Sequence, residues 1–311
     1  MKFKSYHRAK TVAEVSRLCA TEDCIIFAGG TDIMVKGRER TVYASKTLVD
    51  IQDIPLLGSI EAHEGNIVIG AAVTLNALLS SDLVLQKVPL LREAVSHVAN
   101  CQVRNRATLV GNIANACPAS DCIPALMVLG AQVEINGPQA VRTVLLKDLF
   151  RENKACLRHR GMHVRTCFFP ETTRHKLMLE NGEMISSVSV PVQGADQRYF
   201  FRKLTRNRSS DMAILNCTMI ADMNAEGSFG SLHVCLGGAF PSPRCFDEHD
   251  RTLVGRPFDN EDFERFAQAY GQFLEPEEKL LADYAYKRAV VPSIIREGLE
   301  QLSGLQMEAS V

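Results

Sequence analysis

Apolar positions recur first at helical spacing and then as short runs. In TVAEVSRLCA, Val12, Val15, Leu18 and Cys19 share one helical face with Thr11 placed as an N-cap, and CIIFA, starting at Cys24, reads as a buried strand. TLVDI at 47–51 and NIVIGAA at 66–72 predict further strands. TLNALLSSDLV and PLLREAVSHVAN predict helices, the second with Leu91, Ala94, Val95 and Val98 in one stripe. The first part of the chain is therefore mixed α/β. Beyond it, QVEI, RTVLL, MISSVSVP, RYFFRKLT, AILNCTMIADM and SLHVCLGGAF predict short strands, and the alternation of Leu232, Val234 and Leu236 is typical of antiparallel sheets. Two helical stretches follow, the clearer being DFERFAQAYGQFL, where Phe263, Phe266, Ala267, Tyr270 and Leu274 repeat at helical intervals. PVQGADQ at 191–197 combines Pro, Gly and polar residues after a strand and predicts a domain boundary.

A length of 311 residues fits two compact units. Thirty-five basic and 36 acidic side chains leave a formal charge of -1, which excludes the phosphate-seeking surplus of a general nucleic-acid binder. No apolar run reaches the length of a membrane span, and MKFKSYHRAKTVAEV has no apolar signal core, so a cytoplasmic protein is expected. The ten cysteines are scattered without a C-x-x-C pair, which favours buried reduced thiols over disulfides or a zinc site. No Ser/His/Asp, Cys/His or His-Glu-x-x-His arrangement is present. No catalytic side chain and no metal ligand is expected.

Two polar stretches carry the candidate chemistry. In CIIFAGGTDIMVKGRE, Gly29-Gly30-Thr31 follows a strand and precedes an apolar segment. Glycines there allow positive φ and close approach of a ligand to exposed amides, suiting phosphate oxygens. The same residues also fit a plain strand-to-helix turn with Thr31 or Asp32 as N-cap. In QVRNRATLVGNIANACPASDCIPALMVLGAQVEI, residues 102–135, Thr108, Gly111 and Asn112 predict a compact turn, and Ser120-Asp121 precede Pro124 at a helix start. Loops of this kind commonly hold ligands on a rigid scaffold; an N-capped helix with a polar lead-in is the alternative.

Together these stretches resemble the flavin-binding subunit of the molybdenum hydroxylases, the xanthine dehydrogenase family. FAGGTD looks like the first pyrophosphate loop of that family, TLVGNIANACPASD like its second FAD loop, and RKLTRNRSSDMAI like the basic segment opening the C-terminal part. GEMISSVSVP and LGGAFPSPRCFDEHDRTLVG extend the likeness, which runs over residues 4–305. The fold expected is α+β in three layers. A FAD-binding domain at 1–194, with a small α/β part (1–55) and a larger mixed-sheet part (56–194), precedes a C-terminal domain of antiparallel sheet plus helices at 195–311.

Carried over by position, the resemblance implies that Ile26, Phe27, Ala28, Gly29, Gly30, Thr31, Asp32 and Ile33 wrap the FAD pyrophosphate. Thr108, Gly111 and Asn112 would grip its other side, and Asp121 would bind ribitol or ribose hydroxyls. Ile185, in an edge strand before Pro191, and Lys203, eight residues before Asp211, occupy further cofactor-contacting positions. Val110 departs from the pattern, standing where the family usually has the first glycine of Gly-Gly and so setting a Cβ beside the diphosphate. Residues 151–167 look like an insertion, basic and bracketed by Cys156 and Cys167, which reads as a solvated loop, as a docking or anion-attracting loop, or as the seat of an extra iron-sulfur cluster, for which only two of the four thiolates are present. The function implied is electron transfer: substrate is hydroxylated on a molybdopterin-binding large subunit, and electrons pass through [2Fe-2S] clusters on a small subunit to FAD here and on to NAD+ or another acceptor. A cofactor-poor scaffold of the same fold and a self-contained flavin oxidase are the alternatives.

Overall fold

The computed structural model describes residues 3–36, 43–150, 177–207, 211–274 and 284–305. These residues form two compact units. The first takes the described residues up to 117 together with 130–150 and 177–192; the second takes 118–129 and those from 193 onward. The basic insertion at 151–167 lies outside the described residues.

The first unit opens with β1 (Ser5–Arg8), α1 (Val12–Thr21), β2 (Cys24–Phe27), α2 (Thr31–Lys36) and β3 (Thr47–Asp50). Thr11 caps α1 by accepting the Glu14 N–H, and Val15 and Cys19 lie on its buried side. Both strand pairings are parallel and give the order β1-β3-β2. The central β3 is buried at all four positions, as expected of a parallel strand covered on both faces.

The rest of this unit is a five-stranded sheet of β4 (Ile60–His63), β5 (Asn66–Gly70), β6 (Gln132–Asn136), β7 (Val141–Leu145) and β8 (Met184–Pro191), in the order β4-β5-β8-β6-β7. All its pairings are antiparallel, so the mixed character of this part comes from its helices. The helices are α3 (Leu75–Leu79), α4 (Asp82–Lys87), α5 (Pro89–Ser96), α6 (Cys101–Arg104) and α7 (Leu109–Asn115). TLNALLSSDLV is two helices because Ser81 accepts the Val84 N–H and starts α4 anew. One expectation is overturned: the strand carrying Ile185 is not an edge but the centre of its sheet, flanked by β5 and β6.

The second unit begins with α8 (Cys122–Val128) and continues with β9 (Arg198–Leu204), β10 (Leu215–Met223), β11 (Phe229–Gly237) and β12 (Arg244–Cys245), antiparallel in the order β12-β11-β10-β9. Helices α9 (Asp247–Asp250), α10 (Asn260–Gln272) and α11 (Tyr284–Ser303) follow. Leu215, Cys217, Met219 and Ala221 of β10 and Leu232, Val234 and Leu236 of β11 join Phe263, Phe266, Tyr270, Ile295 and Leu299 in one apolar core. The opposite face of the sheet packs on α8. Cover on both sides explains why β10 is buried without alternation over seven successive positions.

One carboxylate sits inside that core. Asp250 accepts the Val234 N–H at 2.9 Å, just beyond the end of β12, and also the Tyr270 hydroxyl. Burial drives its pKa from 3.8 up to about 7, against these two hydrogen bonds, and the nearby Asp247 charge adds to the rise. The folded state thus holds a proton that the unfolded chain releases near pH 4. The stabilisation is complete below the unfolded pKa and is lost as pH rises through about 7. An amide would donate to the tyrosine oxygen and still accept from Val234. We therefore expect the Tm of Asp250→Asn, relative to wild type, to climb between about pH 4.5 and 7.5 and then level off. A Tm difference independent of pH in thermal melts would refute the assignment.

Candidate functional site

The Ala28-Gly29-Gly30 turn joins the C-terminal end of β2 to the start of α2, and residues 25–33 are all half-buried. No acceptor among the described residues faces the backbone N–H groups of Ala28, Gly29 or Gly30. The next amides, of Thr31, Asp32 and Ile33, open a helix and so have no intrahelical acceptor. Thr31 and Asp32 lie inside the helix rather than capping it. The Asp32 carboxylate instead meets Lys36 Nζ at 2.5 Å, which offsets its charge beside the amides. Ile26 and Phe27 end β2, and Ile33 lies in the first turn of α2.

The second polar stretch is fastened directly against the first. A Cβ on Gly29 would stand 2.0 Å from the backbone oxygen of Arg106 and 2.9 Å from Ala107 Cα, so the two backbones touch where no side chain fits. Gly30 has φ +71, and a Cβ there would lie 2.2 Å from the Phe27 ring. Lys36 ties the far ends together through its 3.0 Å bond to Asn115 Oδ1 at the end of α7.

Thr108, Gly111 and Asn112 form the first turn of α7, not a free-standing turn. Thr108 is the N-cap: its hydroxyl accepts the Gly111 N–H at 3.0 Å and its carbonyl accepts the Asn112 N–H at 3.0 Å. Both amides are thereby engaged. What this turn offers a ligand is the exposed, side-chain-free surface of Gly111 and the half-buried Asn112. Val110 does not stand in an open cleft, because it is only 6% exposed with no ligand present. Its side chain belongs to the core of the unit.

Asp121 and Lys203 meet in the second unit across 82 positions of sequence, with Nζ 2.7 Å from Oδ2 and side chains 7% and 6% exposed. Asn216 Nδ2 donates to Asp121 Oδ1 at 3.1 Å and to the Ser120 carbonyl at 2.9 Å. A Cβ at Gly237 would stand 2.2 Å from Asn216 Oδ1, so the glycine on β11 makes room for this amide. Ile185 is buried in the five-stranded sheet of the first unit, opposite Ile135. Sequence reasoning missed Lys36 and Asn216. The signals were there, in the i,i+4 spacing of Asp32 to Lys36 and in a single amide within the apolar run of β10.

Residues 1–193 match the model of the FAD binding domain in molybdopterin dehydrogenase, and residues 199–302 that of the CO dehydrogenase flavoprotein C-terminal domain. The chain is 30% identical to the carbon monoxide dehydrogenase medium chain of Afipia carboxidovorans, over 82% of this chain and 81% of that one. It is 25% identical to the xanthine dehydrogenase FAD-binding subunit of Escherichia coli O157:H7, over 96% of each. Among solved structures, carbon monoxide dehydrogenase from Hydrogenophaga pseudoflava, lacking the Mo-pyranopterin moiety, superposes with a TM-score of 0.84 at 27% identity over 98% of both chains.

Two tests follow from this geometry. Gly29→Ala must push the 106–108 backbone away, and we expect it to lower both the Tm and flavin affinity, the latter by about tenfold or more, equivalent to about 1.4 kcal/mol. An unchanged affinity in a flavin titration would show that the contact is not part of the site. Lys203→Met strands the buried Asp121 carboxylate and should cost about 3–5 kcal/mol of stability, most of it recovered by adding Asp121→Asn. Additive losses in denaturant unfolding would mean that the two side chains are not coupled.

Proposed function

The chain belongs to the family of the FAD binding domain in molybdopterin dehydrogenase, and from that premise we propose that it is the FAD-carrying electron-transfer subunit of a multi-subunit hydroxylase. Its relatives are medium chains and FAD-binding subunits of oxidoreductases. Electrons would enter from [2Fe-2S] clusters on a small subunit and leave for NAD+ or another acceptor. The substrate would be oxidised at molybdopterin on a large subunit. A xanthine-type substrate is our reading, supported by likeness to the Escherichia coli subunit along nearly the whole chain. Carbon monoxide is the second reading, favoured by the medium-chain relative and the C-terminal domain match. No described helix is long and apolar enough to cross a membrane, and we place the complex in the cytoplasm.

The observation that carries the proposal is the set of amides at Ala28–Gly30 that meet no acceptor among the described residues, continued by the opening turn of α2, on a backbone that admits no Cβ at Gly29. Such an array suits the diphosphate of FAD. Ile26 to Ile33 would hold that diphosphate, with Thr108, Gly111 and Asn112 shaping its other side, while Asp121, Ile185 and Lys203 complete the proposed contacts. The Asp121 carboxylate would present its remaining acceptor capacity to hydroxyls while Lys203 and Asn216 keep it oriented. When bound, FAD supplies the exchange between one-electron and two-electron transfer, and the protein's part is position and exclusion of water. The proposed division assigns 1–194 to FAD binding and 195–311 to the C-terminal domain.

The test is to purify the chain, reconstitute it with FAD, and record its visible absorbance and NADH-dependent dye reduction. We expect a flavin spectrum, with hydroxylase activity only after partner subunits are added. Failure to take up flavin would leave the scaffold alternative, and substrate turnover by the isolated chain would favour the self-contained oxidase.

A further inference from the structure

Cys235 and Cys245 stand directly opposite each other on the antiparallel strands β11 and β12. Directly opposed residues of such a pair have Cα atoms about 4.5 or 5.5 Å apart. Both separations fall within the roughly 4.4–6.8 Å that a disulfide spans. Opposed side chains also project from the same face of the sheet, so the two thiols face one way. Their groups interact through a side-chain hydrogen bond, and burial raises the Cys235 thiol well above its ordinary pKa. Cys235 is fully buried, its Sγ 3.7 Å from Met127 Sδ of α8, whereas Cys245 is half-exposed.

The other described thiols of the unit are placed apart from this pair. Thr218 is the residue of β10 opposite Cys235, so the neighbouring Cys217 points to the other face, into the core with Val234 and Leu236. Cys122 lies at the start of α8, a full turn away from Met127. The strand that would have to adjust is the one best able to do so: β12 has two residues and lies at the sheet edge.

We propose that Cys235 and Cys245 form a reversible cross-strand disulfide, and that this pair is a modification site for hydroperoxides, with half-exposed Cys245 as the reacting thiol and buried Cys235 as the resolving one. In the first step the Cys245 thiolate sulfur attacks hydrogen peroxide; an S–O bond forms, the O–O bond breaks, and the departing hydroxide takes up the thiol proton as water. In the second step the Cys235 sulfur, losing its proton, attacks the Cys245 sulfur. The S–S bond forms, the S–O bond breaks and a second water leaves. Two thiols are oxidised by two electrons and one peroxide is reduced to two waters. The bond closes the loop that carries Gly238, whose N–H donates to the Pro118 carbonyl at 2.6 Å and whose carbonyl accepts Lys287 Nζ at 2.7 Å. Oxidation therefore staples the turn that holds the beginning of the Asp121 segment.

The test uses the purified full-length chain, treated with hydrogen peroxide, alkylated and digested without reductant. Trypsin cleaves after Arg244, between the two cysteines, so a cross-link appears as two joined peptides, and fragmentation of the pair tells Cys235 from Cys217, which shares its peptide. We expect the 235–245 pair, two hydrogens lighter than its reduced parts, returned to free thiols by dithiothreitol and absent from Cys245→Ser. The oxidised wild type should also melt a few degrees higher, about 2–4 °C or more, with no such shift in Cys245→Ser. Linkage of either residue to a different cysteine would overturn the proposal. So would oxidation of Cys245 to the sulfinic or sulfonic acid with Cys235 still free, or no reaction at either thiol.

Discussion

The candidate site depends on one backbone-to-backbone contact, that of Gly29 with Arg106 and Ala107. Side chains can trade volume with their neighbours, but two main chains in contact cannot, so this approach dictates where the second polar stretch begins. From there Thr108 takes over, pairing with Thr74 and capping α7. At the other end of the same helix Asn115 receives Lys36 from α2. The loop after β2 and the helix after Ala107 are thus fastened at both ends, and the amides between them are held in place before any ligand arrives. Preorganised donors of this kind lose little freedom on binding.

The second unit relies on a different constraint. Its central strand β10 is apolar on the face toward α10 and α11, yet on the α8 face it carries Asn216 next to the Asp121–Lys203 pair. Buried ion pairs are costly to desolvate, and replacement by apolar groups is often neutral or stabilising. Retention of this arrangement, with a glycine at 237 to admit the amide, fits a role in holding a carboxylate in one orientation. Asp250 is the contrasting case. It accepts the strand amide of Val234 and a tyrosine hydroxyl, and its burial favours the protonated form.

Much of the fold was legible because periodicity reports burial. The face of α1 and most of the stripe of α5 and the repeats of α10 occur where the pattern places them, whereas Val98 and Leu274 fall just beyond their helices and the alternation of β11 stops at the buried Cys235. What periodicity cannot carry is order between distant strands. Nothing in MISSVSVP says that it will be paired on both sides; the run before Pro191 reads as an edge, whereas the strand is central. The same limit applies to side-chain encounters such as Lys203 with Asp121, which depend on how strands and helices come together. Val110 illustrates a third case. A residue compared position by position invites a reading in terms of the missing glycine, but burial decides what its side chain touches, and here that is the core.

The central position of β8 bears on how the protein is made. Its partners in register are β5, where Asn66 faces Pro191, and β6, where Asn136 faces Met184. During synthesis those two strands emerge long before the segment that joins them, and each meanwhile presents an unfilled pairing edge. Such edges are where nascent chains capture the wrong partner. Closing them late also makes formation of this sheet a slow, non-local event. The first domain is therefore a unit that becomes self-protecting only when translation has passed Pro191, and the interval before that is when a chaperone or an assembly partner has most to shield.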